Sequence, residues 1–441
     1  MNKYSRLHCN SNKKNFNQLI HRIFFVICAL LVFRIGSFIP IPGIDTTLLS
    51  DLLGKQKGAI IEVFNMFSGG ALSRASIFAL GVMPYISASI IVQLLTLINN
   101  YFAEMKKSGL IGKNKINRYI RYITLALALL QSIGLSIGLP NIPEIRVLIM
   151  NLDIYFYCTA VLSLTAGTMF LMWLGELITD RGIGNGISLI IFTGIISSFP
   201  TSLENTLNKL RLGELHGLSL LFIFLLIFFV IYFVVFIEKS QRNITIQYIR
   251  RQQGRHIYTP QETFLPLKIN ISGVMPAIFA SSFVIFPSTL IVWLSKIQHW
   301  NWLTIITKYF SPNHGLYMFV YAMAIIFFCF FYTDIIFNPR ETAENLKKTG
   351  SFIPGIRPGE KTASYINKIA KRLTVIGSAY ITFICLLPEI LRAVFDVPFY
   401  FGGTSLLIVV VVIIEFIAQI QSLILSTQYS SIMKKSHLNF N

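Results

Sequence analysis

Ten long apolar segments constrain the fold of this chain more than any other feature. Most approach the roughly 20 apolar residues that a helix needs to cross a membrane. Only 13% of the residues are charged and 54% are hydrophobic, which excludes a soluble domain or a disordered chain. The predicted fold class is an all-α polytopic membrane protein. Its ten predicted transmembrane helices are 20–39, 76–98, 122–139, 154–175, 187–199, 217–237, 271–294, 317–337, 373–388 and 401–424.

Positive charge lies on one side of these predicted helices. Basic residues outnumber acidic ones by 28 to 8 in the segments on that side, whereas the five intervening loops are balanced. Because basic loops stay cytoplasmic, both termini are predicted to face the cytoplasm. Topology and attraction to anionic phospholipids explain this excess as well as a docking surface for an acidic partner does. The basic side comprises 1–22, 99–121, 176–186, 238–270, 338–372 and 425–441.

Two matching segments indicate an internal repeat. Gly-Val-Met-Pro-Tyr-Ile-Ser-Ala-Ser at 81–89 and Gly-Val-Met-Pro-Ala-Ile-Phe-Ala-Ser at 273–281 agree at seven of nine positions. A weaker match, four of seven positions, joins 185–191 to 402–408. Spans two and five thus correspond to spans seven and ten. Because five is odd, the second half enters the membrane from the opposite side, and a site is expected near the midplane between the halves.

The repeats also align branched aliphatic residues four positions apart, on one face of each helix. Prolines and small polar residues near mid-span indicate that these helices face an interior seam or cavity. The aligned residues could form a central aliphatic ring, which blocks ions by dewetting. Ordinary packing between helices explains the same spacing. The aligned pairs are Val82 and Ile86 with Val274 and Ile278, and Ile187 and Ile191 with Thr404 and Ile408.

The segment before span two is too short to cross the membrane. Its eight residues from Ile60 to Phe67 lead to Ser68, Gly69 and Gly70. It is either a surface helix or a re-entrant element hinged at the two glycines. Arg34 and Asp334 lie near span ends, where snorkelling to the membrane surface is the expected arrangement.

Neither a catalytic motif nor a metal-binding motif occurs in the sequence. Walker A, zinc-protease, nucleophile-elbow and zinc-deaminase patterns are all missing. The sequence therefore predicts a protein that is not an enzyme and that has no cofactor and no metal.

Five further motifs are distinctive: FRIGSFIPIPG (33–43), FSGGALS (67–73), RGIGNGIS (181–188), NPRETA (338–343) and FYFGGTS (399–405). At these motifs the sequence resembles the SecY family of protein-export channels. The resemblance extends from about Phe24 to the C-terminal tail. It implies a clamshell of ten helices around an hourglass pore, with two inverted halves of five.

The resemblance also implies a role for four groups of residues. The pore ring would consist of Val82, Ile86, Ile187, Ile191, Ile278 and Ile408. The plug, at about 60–72, would include Phe64, Asn65, Phe67, Ser68, Gly69 and Gly70. Helices two and three would open against seven and eight as a lateral gate that includes Ser87, Gln93, Ser282 and Phe286. Docking of a motor or ribosome would use Arg250, Arg251, Arg255, Arg340 and Arg357.

The implied function is a passive protein-conducting channel in the cytoplasmic (inner) membrane of a bacterium. Its implied partners are SecE-like and SecG-like subunits, the SecA motor ATPase, the ribosome, signal sequences and nascent polypeptides, without recognition of a specific nucleic-acid sequence. A secondary transporter of a small solute is the alternative, because such proteins also have inverted repeats. The predicted domains are a cytoplasmic segment 1–22, an N-terminal half 23–199, a C-terminal half 217–424 with docking loops 238–270 and 338–372, and a cytoplasmic tail 425–441.

Overall fold

The protein is mostly helical. A computed structural model describes residues 3–44, 65, 68–138, 153–213, 217–248, 252–253, 256–257, 262–284, 315–395 and 403–438. The helices are α1 Lys3–Gly36, α2 Met83–Ile98, α3 Asn100–Lys107, α4 Leu110–Gly138, α5 Ile154–Arg181, α6 Gly186–Arg211, α7 Gly217–Lys239, α8 Met275–Val284, α9 Gly315–Ile336, α10 Pro339–Lys348, α11 Glu360–Phe395 and α12 Gly403–Leu438. The strands are β1 Gln241–Tyr248, β2 Gln252–Gln253, β3 His256–Ile257, β4 Glu262–Lys268 and β5 Ser351–Phe352.

Each of the ten predicted spans contains one of these helices. Within the described ranges, seven helical stretches are long and apolar enough to cross a membrane. An eighth candidate is the pair α2 and α3, which bends by 105°. The all-α polytopic class is thus confirmed, and the count of ten spans stays a prediction.

Span two differs from its prediction because its first third is not helical. Residues 76–82 form turns and one bridge, and α2 begins only at Met83. Gly81 has a φ of +57°, a left-handed conformation, so the α-helix cannot extend toward the N-terminus beyond this residue. Pro84 therefore lies in the first turn of α2, where its missing N–H costs nothing, and does not kink a longer helix.

The turn segment before α2 pairs with the residues that follow α1. Helix α2 has 16 residues and is therefore about 24 Å long, which is shorter than a hydrocarbon core of about 30 Å. Unpaired backbone groups at that depth would be costly. The N–H of Ile41 donates to the Ala75 carbonyl at 2.8 Å, and the N–H of Ile77 donates to the Ile39 carbonyl at 3.0 Å. This short antiparallel pairing, centred on Pro40 and Ser76, supports the non-helical backbone.

The two basic loops of the second half share one antiparallel sheet. Its strand order is β4, β1, β5, so a strand of the loop 338–372 pairs with a strand of the loop 238–270. Gln247 of β1 lies opposite Phe352 of β5. Ile244 and Leu267 on the sheet pack against Ile366 of α11 in one apolar cluster. The sequence analysis treated these loops separately, because pairing between distant strands leaves no local signal.

The described chain divides into two compact units. The first contains Met1–Leu207 and the part of α12 from Val412 onward, and the second contains Asn208–Val284 and Asn313–Val411. In the first unit, α2 packs against α4, and α5 packs against both α4 and α1. In the second unit, α9 packs against α11.

Candidate functional site

The four proposed pore-ring residues of the first unit lie at the beginnings of α2 and α6. Val82 and Ile86 are one helical turn apart, because the N–H of Ile86 donates to the Val82 carbonyl at 3.1 Å. Both are buried, as is Ile191. Ile187 is half-buried and lies against α5, where a Cβ atom added to Gly175 would come within 2.9 Å of its Cγ1. Ile187 therefore takes part in packing between helices.

The second unit repeats the geometry of Val82 and Ile86 one half further along the chain. The N–H of Ile278 donates to the Val274 carbonyl at 3.3 Å. Gly273 has a φ of +62°, as left-handed as Gly81. Ile278 and Ile408 are both buried. The predicted correspondence of the two Gly-Val-Met-Pro motifs thus extends to backbone conformation.

The described part of the proposed plug is a tight loop closed by its own polar groups. The side-chain oxygen of Asn65 accepts from the N–H of Ser73 at 3.0 Å, and the Asn65 carbonyl accepts from the N–H of Gly70 at 2.9 Å. Ser68 donates to the Asn65 carbonyl as well. Gly69 and Gly70 have φ values of +69° and +81°, so the predicted glycine hinge is a left-handed turn. Phe64 and Phe67 lie outside the described residues.

Two membrane helices contact the plug loop at a single carbonyl. Nη1 of Arg34, near the end of α1, donates to the Gly69 carbonyl at 3.1 Å, and Oγ of Ser197 in α6 lies 3.2 Å from the same oxygen. For Arg34, snorkelling to the membrane surface stays a prediction. Its guanidinium contacts protein because the non-helical loop offers a carbonyl that no helix has paired. Asp334 is exposed near the end of α9, as expected for a snorkelling side chain.

The described residues of the proposed lateral gate present polar side chains. In α2, Nε2 of Gln93 donates to Oγ of Ser89 at 3.2 Å, and Oε1 of Gln93 has no hydrogen-bond partner among the described residues. Ser87 is half-buried on the same helix. Ser282 is buried in α8 of the second unit. Phe286 falls outside the described ranges.

The proposed docking arginines that the structure describes are exposed. Arg340 lies in the first turn of α10. Arg357 lies on a turn between Gly355 and Gly359, whose φ values are +80° and +112°. The hydroxyl of Thr362 donates to the Arg357 carbonyl at 2.9 Å and so fixes this turn to the start of α11. Arg250, Arg251 and Arg255 belong to the part of the chain that is not described.

A buried polar network at the start of α8 escaped the sequence analysis. Nδ2 of Asn270 donates to the Glu238 carboxylate at 2.7 Å and to the Gly273 carbonyl at 3.1 Å. Oγ of Ser272 donates to Oδ1 of Asn270 at 3.0 Å. All three side chains are at most 7% exposed. A Glu at the end of an apolar helix resembles an ordinary surface residue, so no sequence signal marked this network.

Together, the fold and these sites define a polytopic membrane protein with two related units, each with a helix that follows a left-handed glycine and has a proline in its first turn. The SecY family model matches residues 76–417. The chain therefore belongs to the SecY family.

Relatives and solved structures agree with this membership. The chain is 59% identical to a protein translocase subunit SecY of Escherichia coli K12, over 99% of each chain. It is 62% identical to a protein of the same description from Buchnera aphidicola of Acyrthosiphon pisum, over 98% of this chain and 99% of the relative. A solved protein-conducting channel covers 92% of this chain and 93% of its own at a TM-score of 0.67 and 19% identity. Canine Sec61 in a ribosome–channel complex matches at 0.63 and 18%, over 92% and 93%.

Proposed function

We propose that this chain is the protein-conducting channel of a bacterial protein translocase. It would move unfolded secretory polypeptides across the cytoplasmic membrane and release transmembrane segments sideways into lipid. The observation that carries the proposal is the 59% identity to a SecY translocase subunit over 99% of both chains. No described feature favours the small-solute transporter, whose midplane site should be polar, because the residues aligned by the repeats are mainly aliphatic.

The aliphatic residues near the starts of α2, α6, α8 and α12 suit a seal that must part around a polypeptide. They are Val82, Ile86, Ile187, Ile191, Ile278 and Ile408. Branched aliphatic side chains offer no fixed polar grip, so a narrow ring of them excludes ions by dewetting and releases whatever passes. The loop at Asn65 to Gly70 would add a plug to this resting seal. A signal sequence would shift the closed-open equilibrium by binding the open lateral gate more tightly than the closed one.

Photo-crosslinking of a stalled secretory chain tests the polypeptide path. A photoreactive residue at Ile278, which is buried at the start of α8, should become attached to the stalled chain. The same residue at Phe319, which is 68% exposed on α9 of the same unit, should not. No attachment at Ile278 in a membrane-inserted complex would refute the pore assignment and reopen the transporter alternative.

A polar substitution tests the seal independently. We expect Ile278→Asn and Ile408→Asn to raise ion leak and to admit reporters with defective signal sequences, because an amide holds water where the aliphatic side chain repels it. Leu267→Asn, in the apolar cluster of the docking sheet, is a matched control that should affect stability and not leak. Unchanged leak and unchanged signal selectivity in both ring variants would contradict the ring.

Docking of a motor or ribosome is proposed for the shared sheet of the two basic loops. Arg357 sits on a fixed, exposed turn, which suits a planar, bidentate contact to a carboxylate or phosphate. The SecA motor, the ribosome and SecE-like and SecG-like subunits are the proposed partners, and the motor or ribosome would supply the energy. Arg357→Glu should strongly reduce motor-dependent export. Arg211→Glu, at an exposed position at the end of α6 and outside both basic loops, makes the same charge change as a control and should leave export unchanged.

A further inference from the structure

We infer that Arg34 and Ser197 form a latch that holds the plug loop in the closed channel by its Gly69 carbonyl. Gly69 is the one described plug residue whose backbone oxygen accepts hydrogen bonds from the side chains of two membrane helices. This inference rests on the proposed channel function and names the positioning residues of its closed state.

The geometry at Gly69 depends on a close approach between the loop and α6. An ideal Cβ atom at Gly69 would lie 3.0 Å from Cα of Gly194 and 3.2 Å from Oγ of Ser197. Glycine at both positions thus lets the two backbones meet. The carbonyl of Gly69, a residue with a φ of +69°, accepts from the side chains of both Arg34 and Ser197, one hydrogen bond for each of its lone pairs.

The two donors of the latch differ in strength. The guanidinium of Arg34 is charged, and charge-assisted hydrogen bonds are about twice as strong as neutral ones. It is also held 5.0 Å from the ring centroid of Phe38. The hydroxyl of Ser197 has one proton, which it shares between the carbonyls of Gly69 and of Gly194, the latter at 2.8 Å. Arg34 therefore contributes more than Ser197 to stabilising the position of the Gly69 carbonyl.

Movement of the loop away from α6 would break both contacts together. Arg34 is anchored in α1 and Ser197 in α6, so a displaced Gly69 carbonyl cannot keep either partner. The latch thus favours the closed state alone. Its loss should shift the resting equilibrium toward the open state without touching the translocation path.

Resting ion permeability of reconstituted complexes, without a secretory substrate, tests the latch. We expect Arg34→Met to raise this permeability about tenfold, as loss of a charge-assisted hydrogen bond present only in the closed state predicts. Arg34→Lys, which restores a charged donor, should return most of the seal. Ser197→Ala should raise the permeability about threefold. The double variant should exceed Arg34→Met by less than threefold, because both donors share one acceptor.

Each variant has a matched control. Arg74→Met removes a cation 4.1 Å from the same Phe38 ring, and its guanidinium Nη1 has no hydrogen-bond partner among the described residues. Ser198→Ala removes a hydroxyl of α6 that donates to the Ile195 carbonyl of the same helix at 2.8 Å. Both controls should leave resting permeability unchanged. A defective-signal reporter should be exported by Arg34→Met and not by the controls.

Wild-type permeability in Arg34→Met would overturn the latch, and so would equal leak in Arg34→Met and Arg34→Lys. If Arg34→Met fails to accumulate, equal permeability of Ser197→Ala and Ser198→Ala overturns it instead. Crosslinking from Ile278 in the same complexes separates this failure from failure of the proposed function. Attachment with unchanged leak would refute the latch alone, whereas absent attachment would refute the channel itself.

Discussion

Helices α2 and α8 follow the same Gly-Val-Met-Pro motif and the same left-handed turn, at Gly81 and Gly273. The backbone before each turn is nevertheless stabilised by different hydrogen bonds. Before Gly81, the backbone pairs with the segment that follows α1, through the N–H groups of Ile41 and Ile77. Before Gly273, the side chain of Asn270 joins the Gly273 carbonyl to a buried carboxylate. Backbone pairing tolerates many side chains, whereas a side-chain network depends on each of its members. The comparison predicts that substitutions will harm the second unit more than the first.

The largest effect is expected for Asn270→Asp, which replaces a donor to Glu238 with a second carboxyl group. Two buried carboxylates in contact cannot both ionise without a large cost. We expect the free energy of unfolding to fall by about 3 kcal/mol at pH 8. Thermal unfolding of the purified complex in detergent measures this loss.

The pH dependence of that loss has a definite sign. Folding brings the two carboxyls of Asn270→Asp together, so the folded state binds a proton more tightly than the unfolded state. Stability should therefore recover as the pH falls toward 5 and decline as it rises. Asn243→Asp, the same change at an exposed position of β1, should show no such recovery. A deficit that stays constant between pH 5 and 8 would exclude the carboxyl pair as its cause.

An intermediate effect is expected at the two left-handed glycines. Gly81→Ala and Gly273→Ala should each lower the free energy of unfolding by about 1 to 2 kcal/mol, because a Cβ atom is disfavoured at positive φ. Similar losses would confirm that the two turns are equivalent. Gly315→Ala is the control, since nothing lies within 4 Å of a Cβ atom there and the residue begins a helix.

The smallest effect separates the two kinds of support directly. Ser272→Ala removes a hydrogen bond to Asn270 and should cost about 1 kcal/mol. Ser76→Ala should change stability by less than about 0.5 kcal/mol. The Ser76 hydroxyl has no hydrogen-bond partner among the described residues, and its bridge to Pro40 uses backbone atoms. Equal losses in both variants would contradict the distinction.

Sequence reasoning succeeded where the signal is local and failed where distant groups meet. Each of the ten apolar segments overlaps a helix of the described chain, although the count of ten spans stays a prediction, and residue identity paired Val82 with Val274 and Ile86 with Ile278. The start of α2 was wrong, because hydropathy does not distinguish an apolar helix from the apolar turns at 76–82. The contact of Arg34 with Gly69 was not predicted, because the two residues lie 35 positions apart in the chain. Pore, gate, plug and docking roles rest on the family resemblance and stay proposals.

The sequence by itself determined the class of protein, the repeat and the family. Each depends on composition, periodicity or identity along the chain, and the membrane imposes helix length without reference to neighbours. Only the tertiary structure decided which distant residues meet. Its contributions are the backbone pairing before α2, the Asn270 network, the sheet shared by two loops and the hydrogen bonds to the Gly69 carbonyl. The physical reason is that an unpaired carbonyl or a buried carboxylate must find a partner, and only the folded chain determines which distant residue is near enough to serve.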